Sequence, residues 1–198
     1  MSTTTHLIYL HGFRSSPRSF KARLLAEAVA ALPAAQRPTW ACPQLPPSPA
    51  EAWALIEATT RDWPRDTLTV VGSSLGGFYA SVLAERTGCR AAVINPAVAP
   101  ARDLAAYIGE QHTFDDPSDR FFVQPAFMGE FEALHPYPIT RPERYRALIA
   151  QGDEVLDARE MAAAYAGSQL TVLPGGDHAL SDFAQHLPGL MRWLGWTD

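Results

Sequence analysis

The segment from Val70 to Ser81, with the sequence VVGSSLGGFYAS, joins two apolar runs through a stretch of glycine and serine. The run before it, TLTVV, is short and β-branched and predicts a buried strand, whereas GFYASVLAERT after it predicts a helix. Glycines at 72, 76 and 77 allow a close backbone approach that side chains would block. The segment therefore predicts a tight strand-to-helix turn, the recurring unit of a parallel α/β sheet.

The rest of the chain repeats this alternation of short apolar runs and longer helical patterns. Helices are expected to begin at Ser16-Pro17 and at the capping box that starts with Ser48-Pro49. Most of the strand runs are continuous rather than alternating in polarity, which is typical of a sheet covered by helices on both faces. The predicted strands are Leu7–Leu10, Thr39–Cys42, Thr67–Gly72, Ala91–Asn95, Ala147–Gln151 and Gln169–Leu173.

The segment 96–144 departs from the alternation. It carries seven prolines and several aromatic residues, and it contains no clean strand pattern. A stretch of this length between the elements of a compact domain is typical of a lid or a binding insertion. Its apolar part, FFVQPAFMGEFEAL, is expected either to line a pocket or to pack the segment onto the sheet.

Length, charge and cysteine content narrow the classes of protein. The 198 residues fit one domain, 1–198, with the segment 96–144 as its insertion. The net charge of -5 with scattered basic residues argues against a nucleic-acid partner. Two cysteines far apart in sequence form neither a disulfide framework nor a metal knuckle. The first residues have no basic leader, and no window predicts a membrane span, so a cytoplasmic location is expected.

The turn after the third predicted strand has the chemistry of a nucleophile. Residues 72–76, Gly-Ser-Ser-Leu-Gly, match the pattern G-x-S-x-G, and the strand before them and the helix after them supply the context that this pattern requires. The pattern assigns the exposed, strained position to Ser74 and leaves Ser73 in a supporting one. Ser74 is therefore the candidate nucleophile.

A serine nucleophile needs a base and an acid that orients the base. In sheets of this type the chain order is serine, acid and then histidine, each on a loop after a strand. Asp153 follows the fifth predicted strand and is the candidate acid, with Asp157, Glu154 and Asp177 as rivals. Asp157 also resembles the N-cap of the next helix. His178 follows the sixth predicted strand and is the candidate base.

The oxyanion of an acyl-transfer reaction needs two hydrogen-bond donors. One is the backbone N–H of Leu75, directly after the candidate nucleophile. The loop after the first predicted strand supplies the second, the backbone N–H of Phe13, with Gly12 permitting the turn. The side chain of His11 is expected to fix this loop by hydrogen bonds. The neighbouring polar residues, from Arg14 to Ser16, either contact a polar group of the substrate or serve as a solvated arginine and a helix cap.

These motifs together resemble the α/β-hydrolase superfamily and, within it, the small YqiA-like esterases. The resemblance rests on YLHGFRSSPRS, GSSLGGFYA, INPAV, GDEVLD and the spaced GGDHAL, which cover nearly the whole chain. It implies a three-layer fold with a reduced six-stranded sheet in the order 2-1-3-4-5-6. It also implies hydrolysis of a carboxylic ester or thioester without a metal or an organic cofactor, by Ser74, His178 and Asp153.

Three other functions fit the same residues. The same three side chains also serve an acyl-CoA thioesterase or a small peptidase, because each attacks an activated acyl group. A noncatalytic binding module is the alternative from another class, with the segment 96–144 gripping a ligand. The presence of all three side chains in the expected order argues against the binding module, and together with the resemblance it leads us to expect a serine esterase that acts on small or medium acyl groups.

Overall fold

A computed structural model describes residues 3–196 and contains a central sheet of six parallel strands. The strands lie in the order β2-β1-β3-β4-β7-β8, and all five neighbouring pairs are parallel. Counted within the sheet, this is the predicted order 2-1-3-4-5-6, and the predicted bounds differ from the observed ones by at most two residues. The sheet strands are β1 (His6–Leu10), β2 (Thr39–Ala41), β3 (Leu68–Ser73), β4 (Arg90–Ile94), β7 (Tyr145–Ala150) and β8 (Gln169–Leu173).

Helices cover both faces of the sheet and complete three layers. None of the helices between residues 3 and 196 is long and apolar enough to cross a membrane. The helices are α1 (Phe20–Ala31), α2 (Pro49–Thr60), α3 (Leu75–Thr87), α4 (Pro100–Leu104), α5 (Ala126–Leu134), α6 (Ala158–Ala164) and α7 (Phe183–Leu194).

The first strand shows how the core is divided between the two faces. Leu7 and Tyr9 pack with buried residues of α1 and α7, whereas Ile8 and Leu10 pack with buried residues of α2 and α3. All four side chains are at most 1% exposed. Since successive side chains of a strand point to opposite faces, a continuous apolar run is what a strand between two helical layers requires.

The segment 96–144 contains α4, α5 and an antiparallel hairpin of β5 (Gly109–His112) and β6 (Arg120–Val123). The expectation that this segment has no strand is therefore wrong. Its strands escaped prediction because the polarity of their sequences does not alternate: GEQH has no large apolar residue, and RFFV has three apolar residues in a row, although the burial of both strands alternates.

Helix α5 fixes the second half of this segment to the core. Phe127 and Phe131 are buried, and the ring of Phe131 packs edge-on against Phe78 of α3 with centroids 5.8 Å apart. Glu130 of α5 accepts hydrogen bonds from the Ser48 hydroxyl and the Ala50 N–H at the start of α2. Helix α5 therefore packs this part of the segment 96–144 onto the rest of the fold.

The two predicted helix starts have different outcomes. Ser48 is the N-cap of α2, and its hydroxyl accepts a hydrogen bond from the Glu51 N–H at 3.2 Å, so this prediction is confirmed. The predicted start at Ser16 is wrong, because α1 begins at Phe20 after Ser19. Residues 16–19 form a turn instead, closed by the Ser19 N–H donating to the carbonyl of Ser16. Because Ser16 does not cap the helix, its hydroxyl can bond to other parts of the chain.

Candidate active site

Ser74 lies in a backbone conformation that few residues adopt. It has φ 56° and ψ -123° at the junction of β3 and α3, a costly conformation that persists only where the surroundings enforce it. A Cβ on Gly72 would lie 2.1 Å from the carbonyl oxygen of Gly76, and a Cβ on Gly76 would lie 1.9 Å from that of Leu10. Both glycines are therefore needed for the turn to pack against the sheet.

Ser74, His178 and Asp153 form one hydrogen-bonded chain. The Ser74 Oγ lies 2.9 Å from His178 Nε2, and His178 Nδ1 lies 2.7 Å from Asp153 Oδ2. An ionised carboxylate only accepts hydrogen bonds, so the Nδ1 atom carries the proton and Nε2 presents its lone pair to the serine hydroxyl. This is the arrangement in which a histidine can take the proton of a serine.

Asp153 is held rigidly behind the histidine. Its side chain is fully buried, whereas 20% of the His178 side chain is exposed. The second carboxylate oxygen, Oδ1, accepts hydrogen bonds from the N–H groups of Val155 and Leu156, both at 2.8 Å. These bonds fix the orientation of the carboxylate and stabilise its negative charge.

The other carboxylates near His178 have different partners. Asp157 is the N-cap of α6 and accepts from the Arg159 N–H at 2.8 Å. Glu154 accepts from the backbone N–H of His178 at 3.0 Å. Asp177 accepts from the N–H and the hydroxyl of one serine at the start of the next turn. In the described structure only Asp153, of these four carboxylates, contacts the imidazole.

The two predicted oxyanion donors have no partner within the described part of the protein. Among residues 3–196, the backbone N–H groups of Phe13 and Leu75 donate to no protein acceptor. Leu75 is the first residue of α3, where the helix leaves N–H groups without intrahelical partners. Gly12 lies against the serine, since a Cβ on it would be 3.6 Å from the Ser74 Oγ. The two loops therefore meet at the hydroxyl of Ser74.

A cleft of about 440 Å³ opens over Ser74 and His178. This size is within the range of roughly 300–1,000 Å³ that small-molecule sites occupy. A side pocket of about 310 Å³ adjoins it and shares Phe13 and Leu75 with it. The apolar walls of the cleft come from the turn at Ser74, from the segment 96–144 and from the loop after Asp153. They include Leu75, Leu104, Tyr107, Phe114 and Leu156.

The comparison that decides the family covers almost all of the chain. A model of one protein family matches residues 6–195. The chain belongs to UPF0227, an uncharacterised protein family. This membership agrees with the family resemblance that the sequence motifs indicated.

Solved structures show the fold of this UPF0227 member. It is similar to mouse alpha/beta hydrolase domain-containing protein 10, at 17% identity and a TM-score of 0.67, over 98% of this chain and 92% of that one. It also matches a structure reported for the metagenome-derived lipolytic enzymes LipS and LipT, at 20% identity and a TM-score of 0.71, over 98% and 96% of the two chains. A third match is the esterase domain of a Rhodothermus marinus protein, at 20% identity and a TM-score of 0.63, over 98% and 87%. The UPF0227 chain therefore has the α/β-hydrolase fold.

The loop of the UPF0227 chain that carries His178 is anchored by Asn95. This residue is fully buried, and its φ of 41° places it in the left-handed region. Its amide nitrogen donates to the carbonyls of Asp177 and His178 at 3.0 and 3.1 Å, and its amide oxygen accepts from the Ala150 N–H at 2.8 Å. Asn95 thus joins the ends of β4 and β7 to the histidine loop.

Lys21 of α1 is a second anchor of the same loop. Its ammonium donates to the carbonyl of Ala179, and the side chain lines the cleft. Burial lowers the pKa of Lys21 to about 8, while the negative charges of Asp177 and Asp153 oppose the decrease. The sequence motifs gave no role to Lys21 or Asn95, although an asparagine directly after a buried strand is a signal for a special backbone conformation.

Asn95→Asp should separate the anchoring of His178 from the folding of the chain. The aspartate keeps an oxygen that accepts from the Ala150 N–H, and it tolerates a positive φ. Its other oxygen replaces the amide nitrogen and faces the carbonyl oxygens of Asp177 and His178, to which an ionised carboxylate cannot donate. Each lost hydrogen bond is worth about 0.5–1.5 kcal/mol, so kcat for hydrolysis is expected to fall by about 10- to 100-fold at little cost in KM. Steady-state kinetics at pH 8 measures this. An unchanged kcat in a variant that retains the native circular dichroism spectrum would contradict the anchoring role.

His11 holds the loop after β1, as the sequence predicted. Its Nε2 accepts from the Leu45 N–H at 3.0 Å, and its Nδ1 donates to the carbonyl of Gly12 at 2.9 Å. The side chain is buried, and burial lowers the pKa of His11 below its ordinary value. The neutral imidazole therefore serves as a structural link beside the oxyanion donors.

Proposed function

We propose that this protein is a serine hydrolase that cleaves carboxylic esters of small or medium acyl groups through an acyl-enzyme intermediate. The observation that carries the proposal is the hydrogen-bonded chain from Ser74 through His178 to Asp153, formed at a strained turn. A surface serine that served only as a helix cap would need neither the strain nor a buried carboxylate behind its histidine.

The first half of the proposed reaction acylates Ser74. His178 Nε2 takes the hydroxyl proton while the Oγ attacks the carbonyl carbon of the ester, which yields a tetrahedral oxyanion. Asp153 stabilises the imidazolium that forms. The N–H groups of Phe13 and Leu75 donate to the oxyanion. When the intermediate collapses, the C–O bond of the ester breaks, and His178 returns the proton to the departing alcohol.

The second half releases the acid. Water gives a proton to His178 Nε2 and adds to the acyl carbonyl, and the same two N–H groups stabilise the second oxyanion. Collapse of this intermediate breaks the bond to Ser74, and the proton on His178 returns to the serine oxygen. The products are a carboxylic acid and the free hydroxyl of Ser74, so the cycle needs one water molecule and no further reactant.

The cleft and the side pocket support a substrate with two parts. Both border Phe13 and Leu75, the residues proposed to hold the oxyanion, so that the acyl and alcohol parts of an ester can extend from the carbonyl in two directions. The apolar walls of the cleft favour an alkyl chain, and each buried CH₂ contributes about 0.8 kcal/mol. This value corresponds to an increase of about fourfold in kcat/KM per CH₂ until the cleft is filled.

A substrate panel with the full chain tests this proposal. p-Nitrophenyl esters with acyl chains of increasing length, matched acyl-CoA thioesters and peptide p-nitroanilides would be compared by kcat/KM. The proposal predicts the highest values for the esters and a maximum at a small or medium acyl length. Higher values for the thioesters or the anilides would replace the esterase with a thioesterase or a peptidase, and no turnover together with no labelling by a fluorophosphonate would favour a binding module.

A further inference from the structure

The loop after β1, which carries the Phe13 N–H, is held from outside the sheet by the segment 112–115. Arg14, the next residue, has φ 58°, a conformation that an arginine adopts only when its surroundings enforce it. The source of this constraint lies about one hundred residues along the chain, at the end of β5 and just after it.

Several contacts join Arg14 to this segment. Its carbonyl accepts from the Phe114 N–H at 2.8 Å, and its Nε donates to the carbonyl of His112 at 2.8 Å. Its Nη2 also donates to the Nε2 of His112 at 3.0 Å, and the guanidinium lies 4.5 Å from the centroid of the Phe114 ring. The main chain and the side chain of Arg14 are therefore both fixed by the hairpin.

Asp115 adds a charged contact beside these. Its Oδ2 accepts from the Ser16 hydroxyl at 2.7 Å and from the Arg18 Nε at 3.0 Å. The hydrogen bond from Ser16 and the guanidinium of Arg18 hold the pKa of Asp115 below its ordinary value. Neither Asp115 nor Arg18 lines the cleft or the side pocket, so their contact acts on the loop and not on a bound molecule.

The ring of Phe13 is held by the same part of the chain. It packs edge-on against Tyr107 with centroids 5.5 Å apart and against Phe121 of β6 with centroids 5.9 Å apart. Aromatic pairs of this geometry contribute beyond the area that they bury. The side chain of Phe13, whose own N–H is the proposed donor, and the side chain of Arg14 thus both rest on the segment 96–144.

We propose that the segment 112–115 positions the oxyanion hole, with Asp115 as a positioning residue that acts through the loop 13–18. The proposal rests on the proposed function, since the Phe13 N–H has this role only if Ser74 attacks an acyl group. The segment 96–144 then has two roles: it forms part of the wall of the cleft, and it positions the oxyanion hole. When the contact between Asp115 and the loop 13–18 is broken, the Phe13 N–H no longer points at the oxyanion. The tetrahedral intermediate then loses one hydrogen-bond donor.

A charge reversal and its rescue test the proposal in the full chain. Asp115→Arg places two cations together and should open the contact, whereas Asp115→Arg combined with Arg18→Asp restores an ion pair of opposite polarity. Removal of one oxyanion donor lowers kcat by about 10²- to 10³-fold. A donor that is only displaced is therefore expected to lower kcat by about tenfold. The control is Asp116→Arg, because the side chain of Asp116 accepts hydrogen bonds from Ser118 of its own loop and, among the described residues, makes none to the loop 13–18.

Two measurements distinguish positioning of the hole from a general loss of structure. The first is the split between kcat and KM for a p-nitrophenyl ester. The second is the affinity for a trifluoromethyl ketone, which adds to a serine hydroxyl and places an oxyanion in the hole. We expect kcat and the affinity for the ketone to fall together by about tenfold in Asp115→Arg, with KM unchanged, and both to recover in the double variant.

An Asp115→Arg variant with kcat and ketone affinity within twofold of the wild-type values would overturn the inference, as would an equal loss in Asp116→Arg. Wild-type protein without esterase activity and without ketone binding would instead overturn the proposed function. The two failures are therefore distinguishable in the same set of assays. Faster hydrogen exchange of the Phe114 N–H, which donates to the carbonyl of Arg14, in Asp115→Arg than in Asp116→Arg is the expected structural signature.

Discussion

Ser74→Ala is expected to lower kcat for ester hydrolysis by about 10⁴- to 10⁶-fold, because the attacking oxygen is removed while the cleft and the oxyanion donors remain. The substitution deletes one atom at a position that tolerates a small side chain, so the free energy of unfolding should change little. Stopped assays with a p-nitrophenyl ester measure the rate, and thermal unfolding measures the stability.

Ser73→Ala is the matched control for this substitution. Ser73 is the last residue of β3 and is 4% exposed, and although it borders the cleft, the imidazole of His178 bonds to Ser74 and not to Ser73. The variant should retain both ester turnover and reaction with a fluorophosphonate. If Ser73→Ala were inactive and Ser74→Ala active, the assignment of the two serines would be reversed.

Asp153→Asn is expected to lower kcat by about 10³- to 10⁴-fold. The asparagine amide would donate to His178 Nδ1, so the imidazole would hold its proton on Nε2 and could not accept the proton of Ser74. The two bonds from the N–H groups of Val155 and Leu156 can still be made to the amide oxygen, which preserves the fold. Measurement of kcat between pH 6 and pH 9 would show the loss at each pH.

Asp157→Asn is the control that separates the two aspartates. Asparagine caps a helix about as well as aspartate does, so α6 should keep its N-cap and the protein its stability. Because Asp157 does not contact the imidazole, kcat should remain near the wild-type value. A large loss in Asp157→Asn together with an active Asp153→Asn would assign the acid to Asp157.

The sheet and the candidate triad could be predicted from the sequence because their signals are local. Each of the six parallel strands is a short apolar run, and Ser74, Asp153 and His178 each lie within five residues of the end of one of them. The carboxyl ends of parallel strands meet at one edge of the sheet, so the chain order was sufficient to bring these residues together.

The supporting contacts could not be predicted because they join residues far apart in the chain. Asn95 reaches the carbonyls of Asp177 and His178 across more than 80 residues, and Asp115 reaches Ser16 across 99. A polar residue in a loop gives no sequence signal for such a partner. The start of α1 was misplaced for a related reason: Ser16 has the sequence signature of a helix cap, but its hydroxyl bonds to Asp115.

The identity of the residue that reacts with a fluorophosphonate tests whether Ser74 is the nucleophile. The wild-type chain would be labelled, digested and mapped by mass spectrometry, with Ser74→Ala treated in parallel. We expect a single adduct on Ser74 of the wild-type chain, with loss of the fluoride ion, and no adduct in the variant. An adduct on another residue, or labelling that persists in Ser74→Ala, would contradict it.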